Sequence, residues 1–151
     1  MCKLYVTIVQ PHLEYACEVW DPHLDKDIKL IEKVQKFASR VCLKQWNSSY
    51  SDMLTTLNIP SLKDRRRWAR LSTLYKIVHG FADYPSPPLL PRTTPYNSRW
   101  VHDFSFERPF ARSTQSFYSF FPFTVSLWNN LPHHVSCRSL TAFKYYITGV
   151  C

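Results

Sequence analysis

From residue 24 to residue 43 apolar side chains return at steps of three and four: Leu24, Ile28, Ile31, Val34, Ala38 and Val41, with Leu30 and Phe37 widening the stripe. That period predicts an amphipathic helix. Lys26, Lys29, Lys33 and Lys36 line its other side, and Asp25 stands four residues before Lys29, the spacing of a helical ion pair. The stripe calls for a partner. The nearest is segment 2–20, where Leu4, Ile8, Tyr15 and Val19 fall near the same spacing. Pro11 lacks an amide hydrogen, so this first helix bends or restarts there. Trp20-Asp21-Pro22-His23 reads as a stop and turn. The apolar residues of both helices are expected in a core.

Further along, residues 51–58 suggest a short helix ended by Asn58-Ile59-Pro60. A new helix starts at Ser61, where Ser61 and Asp64 approximate a capping box. It runs to His79, and Gly80 supplies a left-handed stop. Trp68, Leu71, Leu74, Tyr75 and Val78 form its apolar face, and Lys63, Arg66 and Arg70 cluster on one flank. Arg67 intrudes near Leu74, where it pairs with a carboxylate or snorkels outward. These elements make residues 1–80 a small helical body.

Residues 81–100 change character. Pro85, Pro87, Pro88, Pro91 and Pro95 stop any helix and favour extended chain, so this stretch is read as a linker. In residues 101–151, Phe104-Ser105-Phe106 alternates like a short strand. A dense aromatic run follows: Phe117, Tyr118, Phe120, Phe121, Phe123 and Trp128. Ser139 caps a last helix from Leu140 to Ile147, with Gly149 after it. The fold class is therefore mainly α: a helical bundle, a proline-rich linker, short extended aromatic segments and a C-terminal helix.

Charge sharpens this picture. The 151 residues carry a net +8, unevenly spread. Residues 1–60 hold seven basic and seven acidic side chains, whereas residues 61–80 sum to +5. A basic element on a neutral base points to an anionic partner, most simply nucleic acid; the competing reading is a solvated helix face. The five cysteines, at 2, 17, 42, 137 and 151, show no C-x-x-C pair, which argues against a disulfide framework or a zinc module. His133 lies four residues before Cys137, but two more ligands at suitable spacing are missing. Neither a metal nor a cofactor is expected. Reduced thiols place the chain inside the cell, and the amino-terminal apolar run, broken by Gln10, Pro11, His12 and Glu14, is too short and polar for a signal peptide or membrane span.

Several phrases occur together. Leu4-Tyr5 with Val9-Gln10-Pro11-His12-Leu13-Glu14-Tyr15-Ala16, then Val19-Trp20-Asp21-Pro22, resembles the stretch just downstream of the polymerase palm in LINE-type (non-LTR) retrotransposon reverse transcriptases. Asp27-Ile28 with Ile31-Glu32-Lys33-Val34-Gln35 resembles a helix of the same family. So do Tyr50 with Leu54 and Leu57, and Leu62, Arg65-Arg66, Arg70-Leu71, Tyr75-Lys76-Ile77 and His79-Gly80. Pro109-Phe110-Ala111-Arg112, Ser119-Phe120-Phe121-Pro122, Leu127-Trp128-Asn129-Asn130-Leu131-Pro132 and Ser139-Leu140 with Phe143-Lys144 resemble the region beyond its linker. The resemblance covers nearly the whole chain. It implies that residues 1–80 are thumb-like and residues 101–151 a post-thumb extension, with fingers and palm preceding Met1. The family's paired palm aspartates, which hold two metal ions, have no counterpart here, so no polymerase activity is expected of this chain. Phe123 and His133-His134 also depart from the family pattern.

A thumb grips a template–primer duplex through phosphates, and arginine forks suit those oxygens without selecting sequence. Lys63, Arg65, Arg66 and Arg70 are the candidate nucleic-acid-binding residues. Equally open is that these arginines pair with acids on the helix at 24–43. The aromatic run could stack on bases, although packing among themselves suits bulky rings beside Pro122 and Pro132 better. A protein–protein adaptor with an Arg-rich helix is the alternative function. A thumb normally packs on a palm domain, so some apolar surface is expected to lie exposed.

Overall fold

The computed structural model describes residues 2–83, 89–92, 105–131 and 139–149. It is mainly helical. The linker residues 84–88 and 93–100, together with Phe104, His133 and Cys137, lie outside the described residues.

The first helical run comprises α1 (Cys2–Leu4), a π-helical turn (Tyr5–Val9) and α2 (Gln10–Glu14). Pro11 sits inside this run rather than at its break. The wide turn before it explains why: the Gln10 N–H donates to the Tyr5 carbonyl, five residues back, so the missing Pro11 donor falls where the ladder is already shifted. The break comes later, at Tyr15 (ψ 124°) and Ala16, which adopts the left-handed conformation at φ 48°. The short α3 (Cys17–Trp20) follows.

Helix α4 (Asp25–Leu43) opens with Asp25 and Asp27 in its first turn, where the helix dipole favours them, and closes on Lys44 in a left-handed cap. In α5 (Tyr50–Leu57), the Ser49 hydroxyl accepts from the Asp52 N–H, and Asn58 is the left-handed stop. Helix α6 (Leu62–Val78) begins with the expected capping box: Ser61 Oγ accepts from the Asp64 N–H at 3.1 Å and donates to Asp64 Oδ2 at 2.6 Å. It ends at Gly80 (φ 70°), with the Phe81 N–H on the Lys76 carbonyl at 2.8 Å.

The chain divides into two compact units, Met1–Arg67 and Trp68–Cys151. The division falls inside α6, whereas the sequence placed a boundary after residue 80. The reason lies in what each half of α6 buries. Its second half supplies Leu71, Leu74 and Tyr75 to one apolar cluster with Val125 and Trp128 of α8 (Phe120–Asn129) and Phe143 of α9 (Leu140–Thr148). Phe143 stacks on Tyr75 at 4.6 Å between centroids and lies 5.6 Å from Trp128. Leu89, Phe106, Leu127, Leu131 and Ile147 close around this cluster.

The aromatic run itself is helical, split between α7 (Thr114–Phe117) and α8. Pro122 lies in the first turn of α8, where no backbone donor is needed. Among the described residues, extended pairing is confined to one bridge between Pro91 and Phe106. Asn129 fixes that bridge to α8: its side chain accepts from the Phe106 N–H at 3.1 Å and donates to the Phe106 carbonyl at 2.8 Å.

The first unit is built differently. Its buried hydrophobic residues are Tyr5, Cys17, Met53 and Leu62; beside them Gln10, Gln35, Ser39 and Arg66 are equally buried. Of the residues expected in its core, Leu4, Ile8, Tyr15 and Val19 are exposed, as are Leu24 before α4 and Leu30, Val34 and Phe37 within it, whereas Ile28, Ile31, Ala38 and Val41 of α4 are half-buried. The predicted stripe of α4 is thus divided: Ile28, Ile31, Ala38 and Val41 flank the buried Gln35 and Ser39, while Leu30, Val34 and Phe37 mark the outer face.

The second unit therefore depends on one aromatic anchor. Trp128→Ala is expected to cost about 3–5 kcal/mol, the usual range for deleting a fully buried large aromatic. Chemical denaturation followed by circular dichroism measures it.

Candidate nucleic-acid interface

The basic helix α6 enters its unit held by a carboxylate from α4. Glu32 Oε1 accepts from the Lys63 backbone N–H at 2.7 Å, next to the positive end of the helix dipole. The other Glu32 oxygen, Oε2, accepts from the Tyr50 hydroxyl. One α4 side chain thus ties α5 and α6 together. One turn further, Gln35 is fully buried. Its Oε1 accepts from the Tyr5 hydroxyl at 3.2 Å, and its Nε2 donates to the Pro60 carbonyl at 2.9 Å. Both of its polar ends are used, as a buried amide requires.

The arginines continue this polar interior. Arg65 makes a two-pronged pair with Glu14: Nε reaches Oε1, and Nη2 reaches Oε2 at 2.8 Å. Gln10 Nε2 also donates to Glu14 Oε1, at 2.7 Å. The hydrogen bond to Glu14 holds the Arg65 guanidinium above its ordinary pKa despite partial burial. Arg66 is 1% exposed, and its Nε donates to Asp21 Oδ1 at 2.8 Å. Its Nη1 and Nη2 are buried with no hydrogen-bond acceptor among the described residues. Arg66 is therefore an expensive resident, held in place by one carboxylate.

Burial also governs the neutral acids here. It pushes the Cys17 thiol from 9.0 up to about 11, helped by Glu18 and Asp21. Burial likewise raises the Tyr5 phenol from 10.0 to about 12, with Glu14 and Glu32 adding to it. Tyr50 rises too, first through burial and then through its hydrogen bond to Glu32.

Arg70 belongs to the second unit. It is 2% exposed, and its guanidinium lies 5.9 Å from the Phe120 ring centroid and 5.6 Å from that of Phe123. Nη1 is 3.4 Å from Thr124 Oγ1. The aromatic run thus receives a cation instead of offering open faces. Phe117, Tyr118, Phe120, Phe121 and Phe123 are all half-buried, and Trp128 is buried.

The four candidate residues are therefore not brought together on one surface. Arg66 and Arg70 are buried, Arg65 is half-buried and paired, and Lys63 is exposed. Arg67, four residues after Lys63 and on the same side of the helix, is also exposed. Of the two positions open to it beside its apolar neighbours, paired with a carboxylate or turned out to solvent, Arg67 takes an exposed one. The acids that take the arginines are Glu14 and Asp21, which precede α4, and not residues of α4. The signal available in the sequence was the equal number of acids and bases over residues 1–60.

No helix of the described residues is long and apolar enough to cross a membrane. Among them no group of three or more His, Cys, Asp or Glu side chains is placed to hold a metal ion.

The chain is similar to an uncharacterized protein of Caenorhabditis elegans, with 36% identity over 118 residues. The match covers 75% of this chain and 57% of that protein, so the chain spans little more than half the length of this relative. No protein-family model matches the chain, and no solved structure matches it.

The ion pair at Arg66 has an asymmetric consequence. Asp21→Ala strands a buried guanidinium and should destabilise the protein by about 3–5 kcal/mol, whereas Arg66→Met, which keeps the volume and removes the charge, should cost distinctly less. Urea melts of the two variants decide the order. The raised acids make a second expectation. Both folded values lie above the ordinary ones, so folding favours the protonated forms. Their contribution is complete below about pH 9 and is lost as pH climbs through about 11 for Cys17 and about 12 for Tyr5. Stability measured across that range should fall from about pH 9 upward, with a later onset in Cys17→Ala.

Proposed function

We propose that this chain is a non-catalytic, thumb-like segment of a LINE-type reverse transcriptase that holds the phosphate backbone of a template–primer duplex without reading sequence. The observation that carries this reading is the order and spacing of the matching phrases, from Leu4-Tyr5 to Phe143-Lys144. The helical architecture and the outward apolar residues ahead of α4, Leu4, Ile8, Tyr15 and Val19, suit a segment that packs beside another domain.

The geometry narrows which cations serve. A phosphate reaches only exposed charge, and Lys63 and Arg67 offer two such groups one turn apart. Arg65 is half-exposed but already committed to Glu14. Arg66 and Arg70 support the helix that carries the contacts, and they touch no backbone themselves.

The test is duplex binding by the purified chain, read as fluorescence anisotropy against salt. Each phosphate contact contributes about 0.9 to the slope of log affinity on log salt. Lys63→Ala with Arg67→Ala should flatten that slope by about 1.8, while Arg70→Met changes thermal stability and leaves the slope alone. Binding that is absent from the wild-type chain, or a slope unmoved by the double substitution, overturns the reading.

A further inference from the structure

The outer face of α4 is made of two kinds of side chain. Between residues 26 and 44 the exposed positions are Lys26, Lys29, Leu30, Lys33, Val34, Phe37 and Lys44. Every one is either a lysine or a large apolar residue. Leu30 is 56% exposed, Val34 40% and Phe37 61%, and Trp46 just beyond the helix is 57% exposed. The Phe37 and Trp46 rings meet edge to face, 6.3 Å between centroids, so the apolar row continues past the helix end. Asp25, in the first turn, is the exposed acid of α4; Asp27 and Glu32 are half-buried.

The two kinds of residue are sorted. At 3.6 residues per turn, Leu30, Val34 and Phe37 follow one line along the helix. Lys26, Lys29 and Lys33 follow the adjacent line, on one edge of the apolar row only. The interior of the unit does not use this face, since its contribution from α4 is Gln35, Ser39 and the carboxylate of Glu32.

We infer that this face receives an amphipathic helix from a partner protein, one that carries an apolar row with acidic residues along one edge. The spacing at 30, 34 and 37 is the i, i+4, i+7 ridge that packs into the groove of a facing helix. The lysine row supplies the charge that selects an acidic edge. A second copy of this chain would answer lysines with lysines, because none of the exposed positions between residues 26 and 44 is an acid. Nucleic acid would find charge and the Phe37 and Trp46 rings, but those rings meet each other edge to face, and Leu30 and Val34 offer no face for a base to stack on. The inference is separate from the duplex reading, whose contacts lie on α6.

The test uses the full chain and two fluorescent peptides of about 18 residues, five helical turns. One carries leucines at i, i+4, i+7 spacing with glutamates along the adjacent line; the other has lysines in place of the glutamates. Saturable anisotropy is expected with the acidic peptide, weakening as salt rises, and none with the basic one. Phe37→Asp, and separately Lys29→Glu with Lys33→Glu, should each weaken binding about tenfold or more. These positions are exposed, so circular dichroism and melting should match wild type; Leu30→Asp replaces any variant that does not fold. Equal binding of the two peptides, no saturable binding, or insensitivity to the substitutions overturns the inference. Phosphatidylserine vesicles and a primer–template duplex form parallel arms. If the same substitutions abolish binding to either and leave peptide binding intact, the face serves that ligand and the inference fails.

Discussion

The placement of α6 depends on charge neutralisation inside the first unit. A helix that begins Leu62-Lys63-Asp64-Arg65-Arg66-Arg67 can pack only if its inward cations meet acids, because an unpaired guanidinium out of water costs several kcal/mol. Glu14 and Asp21 meet that need from opposite ends of the kink at Tyr15 and Ala16. The kink is thus part of the same solution. A straight helix through residue 20 would run past the position from which Asp21 reaches Arg66, and the left-handed Ala16 turns the chain instead.

Once the interior is polar, the rest of the unit follows. Helix α4 must turn toward α6 the side that can satisfy hydrogen bonds, and that side carries Glu32, Gln35 and Ser39. Leu30, Val34 and Phe37 are left on the outside, while Ile28, Ile31, Ala38 and Val41 stay half-buried beside the polar side chains. Hydrophobic burial alone would have turned α4 further, toward Leu30, Val34 and Phe37. Burying a large aliphatic side chain is worth about 1.5–3 kcal/mol, comparable to one buried polar group left unmatched. A few such groups outweigh the stripe. In the second unit no such competition exists: Leu71, Leu74, Tyr75, Val125, Trp128 and Phe143 close an ordinary apolar core.

What could be read in the sequence followed from local chemistry. The capping box at Ser61 and Asp64, the stop at Gly80, the Ser139 cap and the extents of α4 and α6 are properties of neighbouring residues, and each appears where the pattern placed it. The orientation of α4 was not legible, because periodicity identifies a stripe but not what faces it. Pro11 was legible as lying inside the first helix or at a break, but not as which: whether a proline breaks a helix depends on whether the ladder can shift, and the π-helical turn supplies the shift. At the candidate site, the cluster Lys63, Arg65, Arg66, Arg70 was visible as charge. Its division into buried and exposed members required knowing that Glu14, some fifty positions earlier in the chain, lies beside Arg65.

That division also relocates the protein's positive charge. By sequence, residues 1–60 are neutral and residues 61–80 carry the excess. In the fold, Glu14 and Asp21 are spent on Arg65 and Arg66, which leaves seven basic side chains against five acidic ones over residues 1–60. The uncompensated charge is therefore divided between residues 1–60, which keep an excess of two, and residues 61–80, which keep an excess of three. Net charge along a chain and net charge on a surface are different quantities, and buried ion pairs convert one into the other. A basic helix that spends its arginines inward takes acids from one part of the chain and leaves lysines elsewhere uncompensated. For that reason the outer row of α4, neutral in the sequence average, is the face on which cationic and apolar character coincide.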